Sequence, residues 1–222
     1  MIAALAASVT LATSSCPSNL AASLPTGSAA QLVTVAAARQ QATTASVVLW
    51  RKTGGCWQRT AGPWTARVGR SGLSTHHREG DGTTPVGIFG FGAVMYGIAA
   101  DPGVRFRYHR LACGDWWDGD PGSPTYNTFR HVACGATPPF GGDSEALWKQ
   151  TRAYQHFAVI SYNTRPVVAG RGSAMFLHEN TGAPTSGCVS LAPARLATVL
   201  RWLRPAASPR IAIGTRSELA GF

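Results

Sequence analysis

The sequence predicts a mostly β, α+β domain with one or two flanking helices. Short runs of β-branched, aromatic and apolar residues recur along the chain with Gly, Pro and Asn between them. Near the C-terminus one segment carries clear helical periodicity, and 45% apolar residues in a chain of 222 suffice for a sizeable core.

Taken in order, residues 1–15 are a signal-like apolar segment, from Met1-Ile-Ala-Ala-Leu to the polar Thr13-Ser-Ser-Cys16, with no basic residue ahead of it. It falls short of the roughly 20 apolar residues that a bilayer span needs, and no later run reaches that length, so no transmembrane segment is expected. Residues 16–45 read as an N-terminal extension containing a strand-like Gln31–Val35. The main domain is expected over 46–215. It opens with Ser46–Trp50 and Cys56–Arg59 as two strands about a Thr53-Gly54-Gly55 turn, followed by a third at Trp64–Val68.

Gly80–Gly92 holds glycines at 80, 82, 87, 90 and 92 with Pro85 among them, a tightly turned loop entering a short strand. It lacks the Lys-Ser/Thr of a nucleotide phosphate loop. His76 and His77 before it read as solvent-facing. Residues 101–143 are the least regular and are expected to form an insertion or lid. There Asp115, Asp118 and Asp120 do not match a calcium loop and read as turn-forming, solvent-facing residues, while Trp116 and Trp117 read as packing. A short helix is expected over Ser144–Tyr154, capped by Asp143 or Ser144, with Leu147, Trp148 and Tyr154 on its buried side. His156–Tyr162 and Ala174–His178 are core strands. Ala192–Leu203 is a helix with Pro193 in its first turn and Leu196, Val199, Leu200 and Leu203 as its apolar stripe. Arg210–Gly214 is a last strand, and 216–222 a tail.

The formal charge is +10, and 18 of the 20 basic residues are arginine. Such a surface attracts polyanions, anionic cell-wall polymers among them. Nucleic acid is not expected as a partner, because the basic residues are scattered and no recognition motif accompanies them. Five cysteines, at 16, 56, 113, 134 and 188, divide into two bridges and one free thiol in an oxidising compartment. Cys113 and Cys134 bracket a Gly/Pro/Asp-rich loop and are paired here, leaving Cys16 with Cys56 and Cys188 free. The expected location is therefore secreted or cell-wall associated. A lipid anchor at Cys16 is disfavoured, since Thr13 stands where such signals carry leucine. No metal or other cofactor is called for, as no two cysteines have ligand spacing.

The chemistry concentrates at Ala174–His178 and Pro184–Leu191. A histidine ends an apolar strand, and ten positions later a cysteine follows a glycine. Cys188 is a candidate nucleophile and His178 its base, Gly187 removes a crowding side chain, and the backbone N–H groups of Gly187 and Cys188 are candidate oxyanion donors. Strand alternation turns Glu179 away from the His178 ring, so a backbone carbonyl is the better candidate to orient it. The helix that begins a few residues beyond Cys188 is a candidate source of dipole stabilisation for the thiolate.

His178 with Thr185-Ser186-Gly187-Cys188 resembles the signature of the L,D-transpeptidases (YkuD-type), and Gly80-Asp-Gly-Thr-Thr84-Pro85-Val-Gly87-Ile-Phe89 is similar to that family's Thr-Pro-x-Gly-x-Phe segment. The resemblance runs from about Leu49 to Ile213. It implies a YkuD-like β-sandwich-type domain and a thioester mechanism acting on peptidoglycan stem peptides, with Ser186, Thr84, Pro85, Gly87 and Phe89 framing the substrate cleft. The chain departs from the pattern in a short His–Cys spacer, in Ser186 where histidine is frequent, and in Ser190 where arginine usually stands. Water as acceptor would make the enzyme a carboxypeptidase. A secreted wall-binding module without catalysis is the reading from another class. A papain-like protease would place its cysteine before its histidine and ranks lower.

Overall fold

The computed structural model describes residues 16–222, and the signal-like stretch 1–15 lies outside them. In chain order the strands are β1 (Gln31–Ala37), β2 (Thr44–Thr53), β3 (Cys56–Arg67), β4 (Leu73–Ser74), β5 (Thr84–Pro85), β6 (Gly87–Phe89), β7 (Phe91–Gly97) and β8 (Arg107–Arg110). They continue as β9 (Asp115–Asp118), β10 (Thr128–His131), β11 (Glu145–Ala146), β12 (Phe157–Ile160), β13 (Phe176–Glu179), β14 (Val189–Leu191) and β15 (Arg210–Thr215). The α-helices are α1 (Pro193–Trp202) and α2 (Arg216–Ala220). Ten strands form one curled sheet in the order β6-β15-β1-β2-β3-β14-β13-β12-β7-β8, while β10-β9-β11 and β4-β5 form two small ones. This is the mostly β, α+β architecture expected from the residues.

The β2–β3 hairpin turns at Gly54 and Gly55, both at positive φ (58° and 81°), the conformation that a two-residue loop matched to strand twist requires. The runs read as separate strands at Cys56–Arg59 and Trp64–Val68 are one strand, β3, whose pairing with β2 shifts register between Val47 and Trp50. Gly62 sits in that irregularity, where a Cβ would lie 2.4 Å from the Val47 carbonyl oxygen. The segment read as an extension supplies β1, which lies inside the sheet between β2 and β15 and is buried along its whole length. Ahead of it, the Asn19 side chain donates to the Trp57 carbonyl, and Cys16 is bridged to Cys56. The residues read as a tail form α2, started by a capping box between Thr215 and Glu218.

Alternation along the strands divides the core by face. Val33, Val35, Leu177, Val189 and Ile213 pack with Leu196, Val199, Leu200 and Leu203 of α1 and its C-cap. Each such buried Val or Leu is worth about 1.5–3 kcal/mol relative to exposure. Leu32, Ala36 and Ala212 face Ala21, Leu24, Trp57 and Leu219. Around the third core gather Tyr96, Trp117, Leu147, Tyr154, Phe157, Phe176 and Cys188, mostly aromatic.

That third core corrects three expectations. Residues 101–143 are not simply irregular, since β8, β9 and β10 run through them and Trp117 and Tyr126 are buried. Asp115 and Asp118 are buried rather than solvent-facing, because each carboxylate closes a polar network. Asp115 accepts from the rings of His109 and His131 at 2.8 and 2.7 Å, and Asp118 from Ser123 and Thr125 at 2.5 and 2.7 Å. Ser144–Tyr154 is not an α-helix: Glu145 and Ala146 pair with Trp117 and Trp116, and only Leu147–Lys149 makes a 3-10 turn. So short a helix is marginal by itself. Its capping candidate is also spent elsewhere, since Ser144 Oγ accepts from Gly119 N at 3.0 Å and donates to Gly141 O at 2.5 Å.

Candidate active site

β13 and β14 are neighbouring parallel strands, paired Leu177 to Val189 and His178 to Ser190. Cys188 stands at the entry to β14, so the ladder places it beside the strand that carries His178. β13 is interior to the sheet, not at an edge, and both side chains line one cavity of about 670 Å³. Cys188 is the free cysteine among the described residues, and Cys113–Cys134 forms the second bridge.

The thiol is held by backbone. Cys188 Sγ donates to Ala174 O at 3.2 Å and accepts from Phe176 N at 3.3 Å. Ala174 is at φ 52°, a conformation rare for a residue with a Cβ, and its N–H donates to Asn127 Oδ1 at 3.1 Å. Asn127 is buried. Its Oδ1 also accepts from Trp117 Nε1 at 2.9 Å, and its amide nitrogen donates to Tyr162 O and Asn163 O.

His178 Nδ1 lies 2.8 Å from Glu179 O, and a carbonyl only accepts, so Nδ1 carries the proton and Nε2 is left as the basic nitrogen. The backbone carbonyl orients the ring as expected, while the Glu179 carboxylate turns to His156 at 3.0 Å. Tyr154 presents its ring edge-on to His178, with centroids 5.6 Å apart. Burial pushes the Cys188 thiol up to about 12, with the nearby Glu145 charge adding to it. Burial pulls His178 down to about 4. At rest, therefore, the proton stays on sulfur and the imidazole is neutral. α1 starts at Pro193 and its N-terminus makes no contact with Sγ among the described hydrogen bonds, so the thiol's partners are strand and loop backbone.

The remaining expected residues divide. Ser186 lines the cavity, with its Oγ accepting from Arg70 Nη1 at 3.0 Å. Thr84, Pro85, Gly87 and Phe89 are not among the residues that line it. Thr84 and Pro85 are buried behind the cysteine loop, where Thr84 Oγ1 accepts from Gly69 N at 2.8 Å and approaches Cys188 O at 3.5 Å. Gly87 and Phe89 lie in edge strand β6, and Phe89 packs edge-on to Tyr162. Gly187 is at φ 154°, and a Cβ there would meet Met175 Cε at 2.8 Å and Thr83 O at 3.0 Å. Its N–H, expected as an oxyanion donor, donates to Thr185 Oγ1 at 3.2 Å.

Four lining residues had no sequence signal. Arg70 and Glu145 look like ordinary surface charges in sequence, and Glu79 likewise, yet all three face the cavity. His77, expected in solvent, is buried and lines it too, with Nδ1 at 2.9 Å from Thr83 Oγ1 and 3.0 Å from Asp81 Oδ1. Burial lowers His77 against the pull of Asp81 and Glu79. Among the described residues no group of three or more His, Cys, Asp or Glu is placed to hold a metal ion, and no helix is long and apolar enough to cross a membrane.

The crystal structure of the helical cell shape determining protein Pgp2 from Campylobacter jejuni is 12% identical to this chain, with a TM-score of 0.40. The alignment covers 84% of this chain and 48% of Pgp2, so the chain spans about half the length of that protein. No curated protein matches the chain. The family model for the L,D-transpeptidase catalytic domain, YkuD, matches residues 35–213, from inside β1 to inside β15. With the greater part of its length so matched, the chain belongs to the YkuD family of L,D-transpeptidase catalytic domains.

Proposed function

We propose that this chain transfers acyl groups between peptidoglycan stem peptides through a thioester on Cys188. The observation that carries the reading is the shared cavity: a free thiol and a histidine with its Nε2 unprotonated open to one space large enough for a peptide. Because the thiol is neutral at rest, His178 takes the proton from sulfur as sulfur bonds to the donor carbonyl. The same proton then passes to the departing amine, leaving His178 neutral and the acyl group on sulfur. The Cys188 N–H is the proposed oxyanion donor, since Gly187 N–H is occupied by Thr185. Arg70, held at the rim by Ser186 and Gly80, is proposed to meet the carboxylate of a stem peptide.

The two bridges support an oxidising, extracytoplasmic location. Among the described residues each ion pair involves a histidine, and no Arg or Lys pairs with a carboxylate. That leaves the cationic side chains available to anionic cell-wall polymers.

Intact mass spectrometry of wild type and Cys188→Ala, incubated with a carbapenem and separately with a disaccharide-tetrapeptide, tests the reading. An adduct on wild type alone is expected. A folded wild type with a free Cys188 and no adduct from either compound would instead favour a wall-binding module without catalysis.

A further inference from the structure

We propose that Glu145 is a catalytic base on the acceptor side: its carboxylate docks a primary ammonium in the cavity and takes one of the protons that nitrogen must lose. This rests on the acyl-transfer reading of Cys188 and goes beyond it, by choosing an amine over water as acceptor and naming the residue that receives it.

Glu145 reaches the cavity from β11, where pairing with Trp117 fixes its backbone. Tyr154 Oη donates to Glu145 Oε2 and so aims the carboxyl group, while Oε1 accepts from no group among the described residues. No Lys, Arg or His pairs with this carboxylate either. A shielded carboxyl group with one oxygen clamped and the other on a cavity lacks the cation that ordinarily accompanies it. Glu79 and Asp143 line the same space and make it more attractive to a cation. The cation at the rim, Arg70, is engaged with Ser186 and Gly80. Burial, with the charges of Glu79 and Asp143 added, pushes Glu145 up to about 7, so it exchanges a proton readily at neutral pH. Tyr154 also packs against His178, so both bases rest on one side chain.

The proton count calls for two bases. An ammonium becomes an amide N–H only by losing two protons, whereas the sulfur leaving the thioester takes up one. Glu145 removes the first, generating a free amine that attacks the thioester carbonyl. As the C–N bond forms and the C–S bond breaks, His178 takes the second proton and passes it to sulfur, restoring the neutral thiol. Glu145 releases its proton to solvent. Water as acceptor needs only the His178 step.

The test compares wild type, Glu145→Gln, Glu145→Asp and Tyr154→Phe with a tetrapeptide donor and an acceptor tetrapeptide bearing a free side-chain amine. Products are separated by mass into cross-linked and hydrolysed, and Cys188 acylation is followed on the intact protein. Glu145→Gln is expected to lose at least tenfold in the ratio of cross-linked to hydrolysed product, a ratio taken over acyl-enzyme already formed and so read apart from any change in the acylation rate. Glu145→Asp should recover part of that ratio, and Tyr154→Phe, which frees the carboxyl group, should lower it. An unchanged ratio in both Glu145→Gln and Tyr154→Phe overturns the proposal, as does a wild type that acylates and only hydrolyses. A wild type that never acylates would sink the reading of Cys188 itself.

Discussion

Thr84→Val isolates the one hydroxyl that ties the Thr-Pro segment to the cysteine loop. The substitution keeps the branched shape of a fully buried side chain but removes the oxygen that accepts from Gly69 N at 2.8 Å and approaches Cys188 O at 3.5 Å. Cys188 O keeps a second donor, Thr185 Oγ1 at 2.6 Å, so its loss is small. The Gly69 N–H has no such replacement. A Cβ built on Gly69 would lie 2.3 Å from Gly82 O, which shows how closely backbone crowds the site and how little room there is for water. A buried donor left unpaired costs about 1–3 kcal/mol, so a loss of about 2 kcal/mol is expected. At this chain length that lowers Tm by about 4–8 °C. Urea and thermal unfolding of Thr84→Val beside Thr84→Ser measure it, since serine keeps the oxygen and gives up only a methyl group. Acylation of Cys188 should slow in the valine variant as the loop loses its anchor. A valine variant within 0.5 kcal/mol of wild type, or a serine variant as unstable as the valine one, would refute the account of Thr84 as a hydrogen-bonding post.

Four further outcomes are expected. Alkylation of Cys188 by iodoacetamide should rise about tenfold per pH unit from pH 6 to 9, because burial holds the thiol near 12; a plateau below pH 7 would reveal a preformed thiolate. Glu145→Gln should stabilise the fold at pH 8 by up to roughly 3 kcal/mol and leave it unchanged at pH 4. The sign follows from a folded-state value raised to about 7, which makes ionisation of Glu145 easier in the unfolded chain as pH climbs from about 4.5. Gly187→Ala should cost about 1–3 kcal/mol and impair acylation, since its φ of 154° suits glycine and the new Cβ meets Met175 and Thr83. Replacing Cys113 and Cys134 together by serine opens a bridge with a separation of 21 residues, worth about 3 kcal/mol by chain entropy, as a urea midpoint would report.

The strand that carries His178 and its neighbour were legible because their burial is written in local pattern: Phe157–Ile160 is aromatic, aliphatic or β-branched throughout, and Phe176-Leu177 runs straight into His178, whereas β14, which Cys188 enters, is three residues long and was not among the expected strands. α1 announced itself through periodicity and Pro193. What stayed hidden depends on partners far along the chain. Asn127 steadies the thiol's neighbour through a bond to Ala174 that spans 47 positions, and nothing near Asn127 predicts it. Glu145 looked helical because Leu147, Trp148 and Tyr154 have helical spacing, and pairing with β9 overrode that preference. His77 was misplaced for the same kind of reason: Tyr162, 85 positions along the chain, packs edge-on against its ring, while Asp81 and Thr83 close by receive Nδ1.

The parallel pairing of β13 with β14 has a consequence for how such a site diversifies. Parallel neighbours ordinarily need a crossover of a dozen or more residues, yet here the return passes through 180–188 alone. That return loop supplies Thr181, Ala183, Pro184, Thr185 and Ser186 to the cavity wall and ends on the thiol. The spacing of His178 and Cys188 is thus set by the ladder of two core strands, while the chain joining them is free to vary in length. Insertions or deletions there would reshape what the cavity admits and leave His178 and Cys188 in register, so the pocket wall can change independently of that pair within one short stretch of chain.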